Sequence, residues 1–255
     1  MKENEANPHI KGFVITGYGP SAFCSGADIG RFPQLLGDAE AAAQYARDYS
    51  KLLRYIDHYS KPVVAAVNGY ALGAGFELIM RCHKILTTEN AWFQFPEVTR
   101  GILPGIGGLV VPFRRWEKSA FQIFQEAIRF ARRISAKEAF NMGVVTKIER
   151  NYSDLIRTAV AEVNNPMTKI ELIFDEPVEI GVVETVEEPM AGDLPLSRET
   201  DMIVCKAIEE AAAAKSFSEA LEVGYKAFGE VACTKSAKEG IEAFLEKRRP
   251  DFGKI

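Results

Sequence analysis

The residues best placed to do chemistry lie in Asn68-Gly69-Tyr70-Ala71-Leu72-Gly73-Ala74-Gly75-Phe76-Glu77. A β-branched run, Val63-Val64-Ala65-Ala66-Val67, leads into it and reads as a buried strand. Gly73 and Gly75 supply a small-residue turn, and Phe76-Glu77-Leu78-Ile79-Met80 continues as a helix that is apolar around one acid. Such an opening aims unpaired backbone N–H groups and the positive end of the helix dipole at one point. The group expected there is negative, or becomes negative during a reaction. An acid in a first helical turn usually just favours the dipole, but the apolar neighbours of Glu77 argue for a buried carboxylate with a task.

Other chemistries are short of parts. The three histidines, His9, His58 and His83, stand apart from one another and from any cysteine pair, which argues against a zinc site and a Ser-His-Asp triad. Cys24, Cys82, Cys205 and Cys233 have no paired spacing and read as free thiols of a reducing cytoplasm. Acid–base work therefore falls to carboxylates. At net charge −4 and 47% hydrophobic residues, the 255-residue chain has no basic excess for nucleic acid or an anionic membrane surface. No apolar run reaches transmembrane length, and Met1-Lys2-Glu3-Asn4-Glu5 is no signal peptide.

The surrounding elements follow from spacing and punctuation. Gly12 to Thr16 reads as a strand, and Phe23 to Ile29 as a small-residue loop entering a short helix. Asp38 caps a helix whose Ala42, Tyr45, Ala46, Tyr49, Leu52, Leu53 and Ile56 form one buried face. Strands follow at Lys84–Thr87 and Ala91–Phe95. Residues 101–108, apolar yet rich in glycine and proline, suit a buried loop lining a pocket. Capping boxes at Ser135/Glu138, Ser216/Glu219 and Ser236/Glu239 mark three helix starts. Gly143 ends the first of these helices before a strand over 144–148. The Glu- and Pro-rich residues 175–196 read as an extended linker or surface wrap, and 197–248 as helical.

Taken in order, several of these stretches resemble the crotonase superfamily of enoyl-CoA hydratases and isomerases. They are Ile15-Thr16-Gly17 with Phe23-Cys24-Ser25-Gly26-Ala27-Asp28-Ile29, then Lys61 to Gly73, Phe95-Pro96-Glu97, and Gly101-Ile102-Leu103-Pro104-Gly105-Ile106-Gly107-Gly108. Arg133 to Ala139, Gly143-Val144-Val145 and Glu239 to Pro250 extend the likeness. It implies an α/β fold: a ββα spiral core over 1–165, an extended linker or insert over 166–196, and a C-terminal helical trimerisation region over 197–255.

The resemblance also implies a chemistry. The backbone N–H groups of Ala27 and Ala74 would form an oxyanion hole around a thioester carbonyl, each donor worth about 3–4 kcal/mol of transition-state binding. Glu77 and Glu97 would hold the water added to a 2-enoyl-CoA; on spacing alone Glu97 would pass for a solvated loop acid. Ser25, Asp28, Ile29, Gly105 and Phe252 would contact substrate or CoA. No metal and no cofactor beyond the CoA of the thioester are implied. Isomerisation, C–C hydrolysis and a non-catalytic acyl-CoA-binding or scaffold role remain alternatives. Family members usually carry glycine at Ala74, and alanine suits that position if it is already helical. Gln94 and Phe95 replace smaller or polar residues and would reshape the acyl pocket. A homotrimer or dimer of trimers is the expected assembly. Relatives begin with further residues ahead of the first strand here. The expectation is therefore a longer polypeptide, such as a fusion with a 3-hydroxyacyl-CoA dehydrogenase, or a partner chain supplying that piece.

Overall fold

The computed structural model describes residues 1–165 and 173–254. The elements are β1 (Phe13–Thr16), β2 (Ala22–Cys24), α1 (Ala39–Asp57), β3 (Val63–Val67), β4 (Tyr70–Leu72), α2 (Ala74–Ile79), β5 (Lys84–Thr88) and β6 (Trp92–Gln94). They continue with α3 (Val111–Arg115), α4 (Phe121–Phe130), β7 (Ile134–Ser135), α5 (Ala136–Asn141), β8 (Lys147–Glu149) and α6 (Tyr152–Asn164). A small hairpin, β9 (Met190–Ala191) and β10 (Leu194–Pro195), precedes α7 (Arg198–Ala213), α8 (Phe217–Ala232) and α9 (Lys235–Leu245).

The topology is a spiral. Each early turn gives one strand to a sheet ordered β1-β3-β5-β8 and the next strand to a second sheet ordered β2-β4-β6-β7. Within these two sheets the pairings among the described residues are parallel except β6 with β7. β3 lies inside the first sheet and is fully buried on both faces, which explains its unbroken apolar run. β1 is an edge strand among the described residues. Asn68 joins the sheets: its Oδ1 accepts from the Gly17 N–H at 2.9 Å and its Nδ2 donates to the Ala22 carbonyl at 3.0 Å. His83 is structural, taking the Val63 N–H on Nδ1 and donating from Nε2 to Ile56 O; burial holds its pKa below the ordinary value.

Asp38 caps α1 by accepting from the Ala41 N–H, and Ala42, Ala46, Leu53 and Ile56 are buried as the spacing predicts. The helix packs on α8 so closely that a Cβ on Gly229 would stand 2.3 Å from the Ala39 carbonyl oxygen. Each fully buried leucine or isoleucine there contributes roughly 1.5–3 kcal/mol.

Three local expectations change. Ser135 and Glu138 do form the reciprocal capping box on α5, and Gly143 follows with φ 74°. At α8, Ser216 caps, but Glu219 returns its carboxylate to the Lys215 N–H. At α9 the cap is Thr234, and Ser236 is buried with its Oγ 2.7 Å from Ser197 Oγ, so Ser236/Glu239 is no box. The strand expected over 144–148 is β8, shifted later because the N–H groups of Val144 and Val145 both bond Ala139 O at the end of α5.

The linker expected over 166–196 falls partly on 166–172, outside the described residues. Residues 173–189 form no helix or strand. They are pinned by Arg114, which donates to Phe174 O, and by Arg129, which donates to Glu184 O. Among the described residues no helix is long and apolar enough to cross a membrane.

Candidate active site

The site is built where three strand ends of the second sheet turn outward. After β4, Gly73 takes φ 50° and ψ −123°, and a Cβ there would lie 2.4 Å from Glu97 Oε1. The left-handed φ thus falls on Gly73, while Ala74 is the first residue of α2 and needs no glycine. Its N–H has no intrahelical acceptor. The loop after β2 closes against this opening. Gly26, at φ 98°, is so near that a Cβ would stand 2.9 Å from Leu72 O and 3.5 Å from Ala74 N. Ala27 and Ala74 consequently line one cleft of about 850 Å³.

Gly73→Ala is expected to push the Glu97 carboxyl aside and to cost about 1–2 kcal/mol of backbone strain. A urea midpoint and a turnover assay would both fall; unchanged values in both would show that this turn does not govern Glu97.

The two acids are held differently. Glu77 is buried on α2, and its Oε1 accepts from the N–H groups of Ile106 at 2.9 Å and Gly108 at 2.7 Å. Residues 101–108 can supply those donors because Gly108 packs where a Cβ would meet Pro104 Cβ at 2.6 Å. Arg81, one turn beyond Glu77, braces the same loop through Ile106 O and is itself paired with Asp57. Glu97 opens a 3₁₀ turn, Glu97–Arg100, and its Oε2 is sealed from solvent without a hydrogen-bond partner.

Burial raises both carboxyls, Glu77 to about 7 and Glu97 to about 8. The charge of Glu77 adds to the effect on Glu97, whereas the backbone N–H donors oppose it on Glu77. The pair titrates as a unit, with the single charge favoured on Glu77 and the proton on Glu97. Such a pair can take a proton from a small molecule on one side and give one on the other, beside two N–H groups able to receive developing negative charge.

Ser25, Ala27, Asp28, Ile29, Ala74, Glu77, Glu97 and Gly105 all line this cleft. The Asp28 carboxylate is engaged locally, capping the 3₁₀ turn Ile29–Leu35 through the Gly30 N–H at 3.0 Å. Gly105 lies against Phe228, where a Cβ would be 2.7 Å from the ring. Gln94 also lines the cleft, whereas Phe95 is fully buried and stacked on Phe76.

Phe252 is placed elsewhere. It is buried and lines a second cleft with Thr234 and Ser236, because Arg248 and the Asp251 N–H both bond Glu239 and fold the tail back along α9.

The residues that spacing did not single out are Arg100, Trp92, Arg133 and Phe244, together with Tyr45 and Tyr49 of α1. Helical spacing puts both tyrosines on a buried face, yet Tyr49 is 46% exposed and opens on the cleft. Arg100 could have been found from its place three residues after Glu97.

A family model described as enoyl-CoA hydratase/isomerase matches residues 1–189. The chain belongs to this family. It is 32% identical over 252 residues to the crotonyl-CoA hydratase of Syntrophomonas wolfei, covering 96% of this chain and 82% of that one. It is also 32% identical over 256 residues to the mitochondrial enoyl-CoA hydratase of Pongo abelii, covering 99% and 74%. An enoyl-CoA hydratase crystal structure from Polaromonas sp. JS666 aligns at TM-score 0.58 and 27% identity, covering 98% of this chain and 85% of that one. The mixed α/β spiral is thus the crotonase fold of the enoyl-CoA hydratase/isomerase family. This chain carries both Glu77 and Glu97 in one cleft with the Ala74 opening.

Proposed function

We propose that this chain is an enoyl-CoA hydratase, adding water to the double bond of a 2-enoyl-CoA thioester. The observation that carries the reading is the asymmetric carboxyl pair: Glu77 held by two N–H donors, Glu97 part-buried with one sealed and unsatisfied oxygen, both in the cleft of Ala27 and Ala74. The thioester oxygen sits between the Ala27 and Ala74 N–H groups. Glu77 accepts a proton from the water as its oxygen bonds Cβ. The double-bond electrons move onto the thioester as an enolate, which the two N–H groups and the dipole of α2 stabilise. Glu97 gives its proton to Cα, and the product is a 3-hydroxyacyl-CoA. Proton return from Glu77 to Glu97 resets the pair. No other cofactor enters these steps.

Within this reading, Ser25, Asp28, Ile29 and Gly105 border the substrate, and the enzyme works in the cytoplasm. Residues 1–165 form the spiral core, 166–196 a connecting wrap, and 197–255 the region through which copies associate as a trimer or dimer of trimers.

Two carboxyls both placed in the cleft favour hydration over double-bond migration. The test is conversion of crotonyl-CoA to 3-hydroxybutyryl-CoA, followed against pH. The working form has one proton on the pair, so kcat/KM falls on the acid side as Glu77 is protonated and on the alkaline side as Glu97 ionises. Binding of crotonyl-CoA without turnover at any pH would instead support a non-catalytic role.

A further inference from the structure

The cleft contains five charged residues: Asp28, Glu77, Glu97, Arg100 and Arg133. Three are accounted for, since Asp28 caps its own turn and the two glutamates form the reacting pair. The arginines are not. Arg100 is half-buried, and Nη1 donates to Pro96 O at 3.0 Å and to Thr99 Oγ1 at 2.7 Å. Its guanidinium lies 4.6 Å from the ring centroid of Phe244, which clamps it from α9. Among the described residues it has no carboxylate partner within ion-pair distance, and Nε and Nη2 have no acceptor. The guanidinium is fixed on one side and leaves Nε and Nη2 open to an anion in the cleft. In a 3₁₀ turn residues three apart eclipse, so Arg100 stands over Glu97 on the same face. Arg133 adds a second cation to the cleft, stacked 4.3 Å over Trp92.

We infer that Arg100 is a specificity-determining residue that receives a carboxylate at the far end of the acyl chain, making the preferred substrate the CoA monothioester of an unsaturated dicarboxylic acid. This rests on the hydratase reading above and narrows its substrate class. The anion held by Arg100 lies within a few bonds of the reacting carbons, because its neighbour on the turn is Glu97. The phosphates of CoA are a full pantetheine arm away from those carbons. A planar guanidinium with two free donors matches a carboxylate in bidentate fashion, which a neutral alkyl tail cannot exploit.

The experiment compares two acyl chains of equal carbon count, 5-carboxypent-2-enoyl-CoA and 2-hexenoyl-CoA. The wild-type protein is expected to favour the carboxylate substrate in kcat/KM by at least about 10-fold. Arg100→Leu should lower kcat/KM roughly 100-fold more for the carboxylate substrate than for the hexenoyl one, chiefly through KM. Arg100→Lys, which keeps the charge but not the fork, should restore part of that difference.

A wild-type preference for 2-hexenoyl-CoA, or none, overturns the inference, and this arm stands even if a variant fails to fold. Equal losses on both substrates would assign Arg100 to Glu97 or to packing instead. A loss on hexenoyl-CoA absent with hexenoyl-pantetheine would mean that Arg100 holds nucleotide phosphate, which also overturns it. If the wild-type protein hydrates neither substrate, the hydratase reading itself fails. If it hydrates only the hexenoyl substrate, this inference alone fails.

Discussion

Replacing Glu97 by glutamine is expected to lower hydration of crotonyl-CoA by a factor of about 10²–10⁴, the range for loss of a positioned general acid. The amide keeps the shape of the carboxyl but has no acidic proton for Cα. The fold should be indifferent to the change. Glu97 Oε2 makes no hydrogen bond that glutamine would break, and burial already holds the carboxyl near neutrality. A urea midpoint matching the wild-type value alongside the lost turnover is the expected pair of results. Hydration surviving within a few-fold of wild type would remove Glu97 from the chemistry, and with it the division of labour between the two acids.

The second large effect is on stability. Asp201 on α7 is buried and pairs in bidentate fashion with buried Arg129 on α4, at 2.7 and 2.8 Å. The same carboxylate accepts from the Val186 N–H at 3.2 Å, and Arg129 also donates to Glu184 O. One ion pair therefore fastens the irregular segment ahead of β9 to both helices. Asp201→Ala leaves a buried guanidinium without its counter-charge, and the expected loss is about 3–5 kcal/mol. Denaturant titration reads this directly. A loss below about 1 kcal/mol would mean that water or a rearranged segment replaces the carboxylate.

Much of this arrangement can be read from the chain, and the limits are physical. β3, the Gly73 turn, the Asp38 cap and the Ser135 box depend on neighbours a few residues apart, so their signals are local. Ser236 shows the opposite case. Its spacing to Glu239 fits a cap, but a hydroxyl on Ser197 captures it, and Thr234 two residues earlier caps the helix. The Val144–Val145 pair has strand-like side chains, yet its N–H groups close a helix.

At the site, Glu77 announced itself by its apolar setting. Glu97 did so only through family resemblance, because what buries it is a loop, a sheet end and a helix from distant parts of the chain. The position of Phe252 apart from that cleft is equally non-local: the fold-back that seats it depends on Glu239 meeting Arg248 and Asp251.

The contact between the Glu97 turn and α9 bears on the order in which a nascent chain becomes competent. A Cβ on Gly101 would lie 2.2 Å from Ser236 O, and one on Gly240 2.2 Å from Arg100 O, so backbone rests on backbone there. The turn that aims Glu97 is thus completed by residues synthesised long after it. Pairings so distant in sequence form slowly. During translation the two sheets can assemble while the carboxyl pair is still unfinished. Catalytic competence then waits on the docking of α9 against the Glu97 turn.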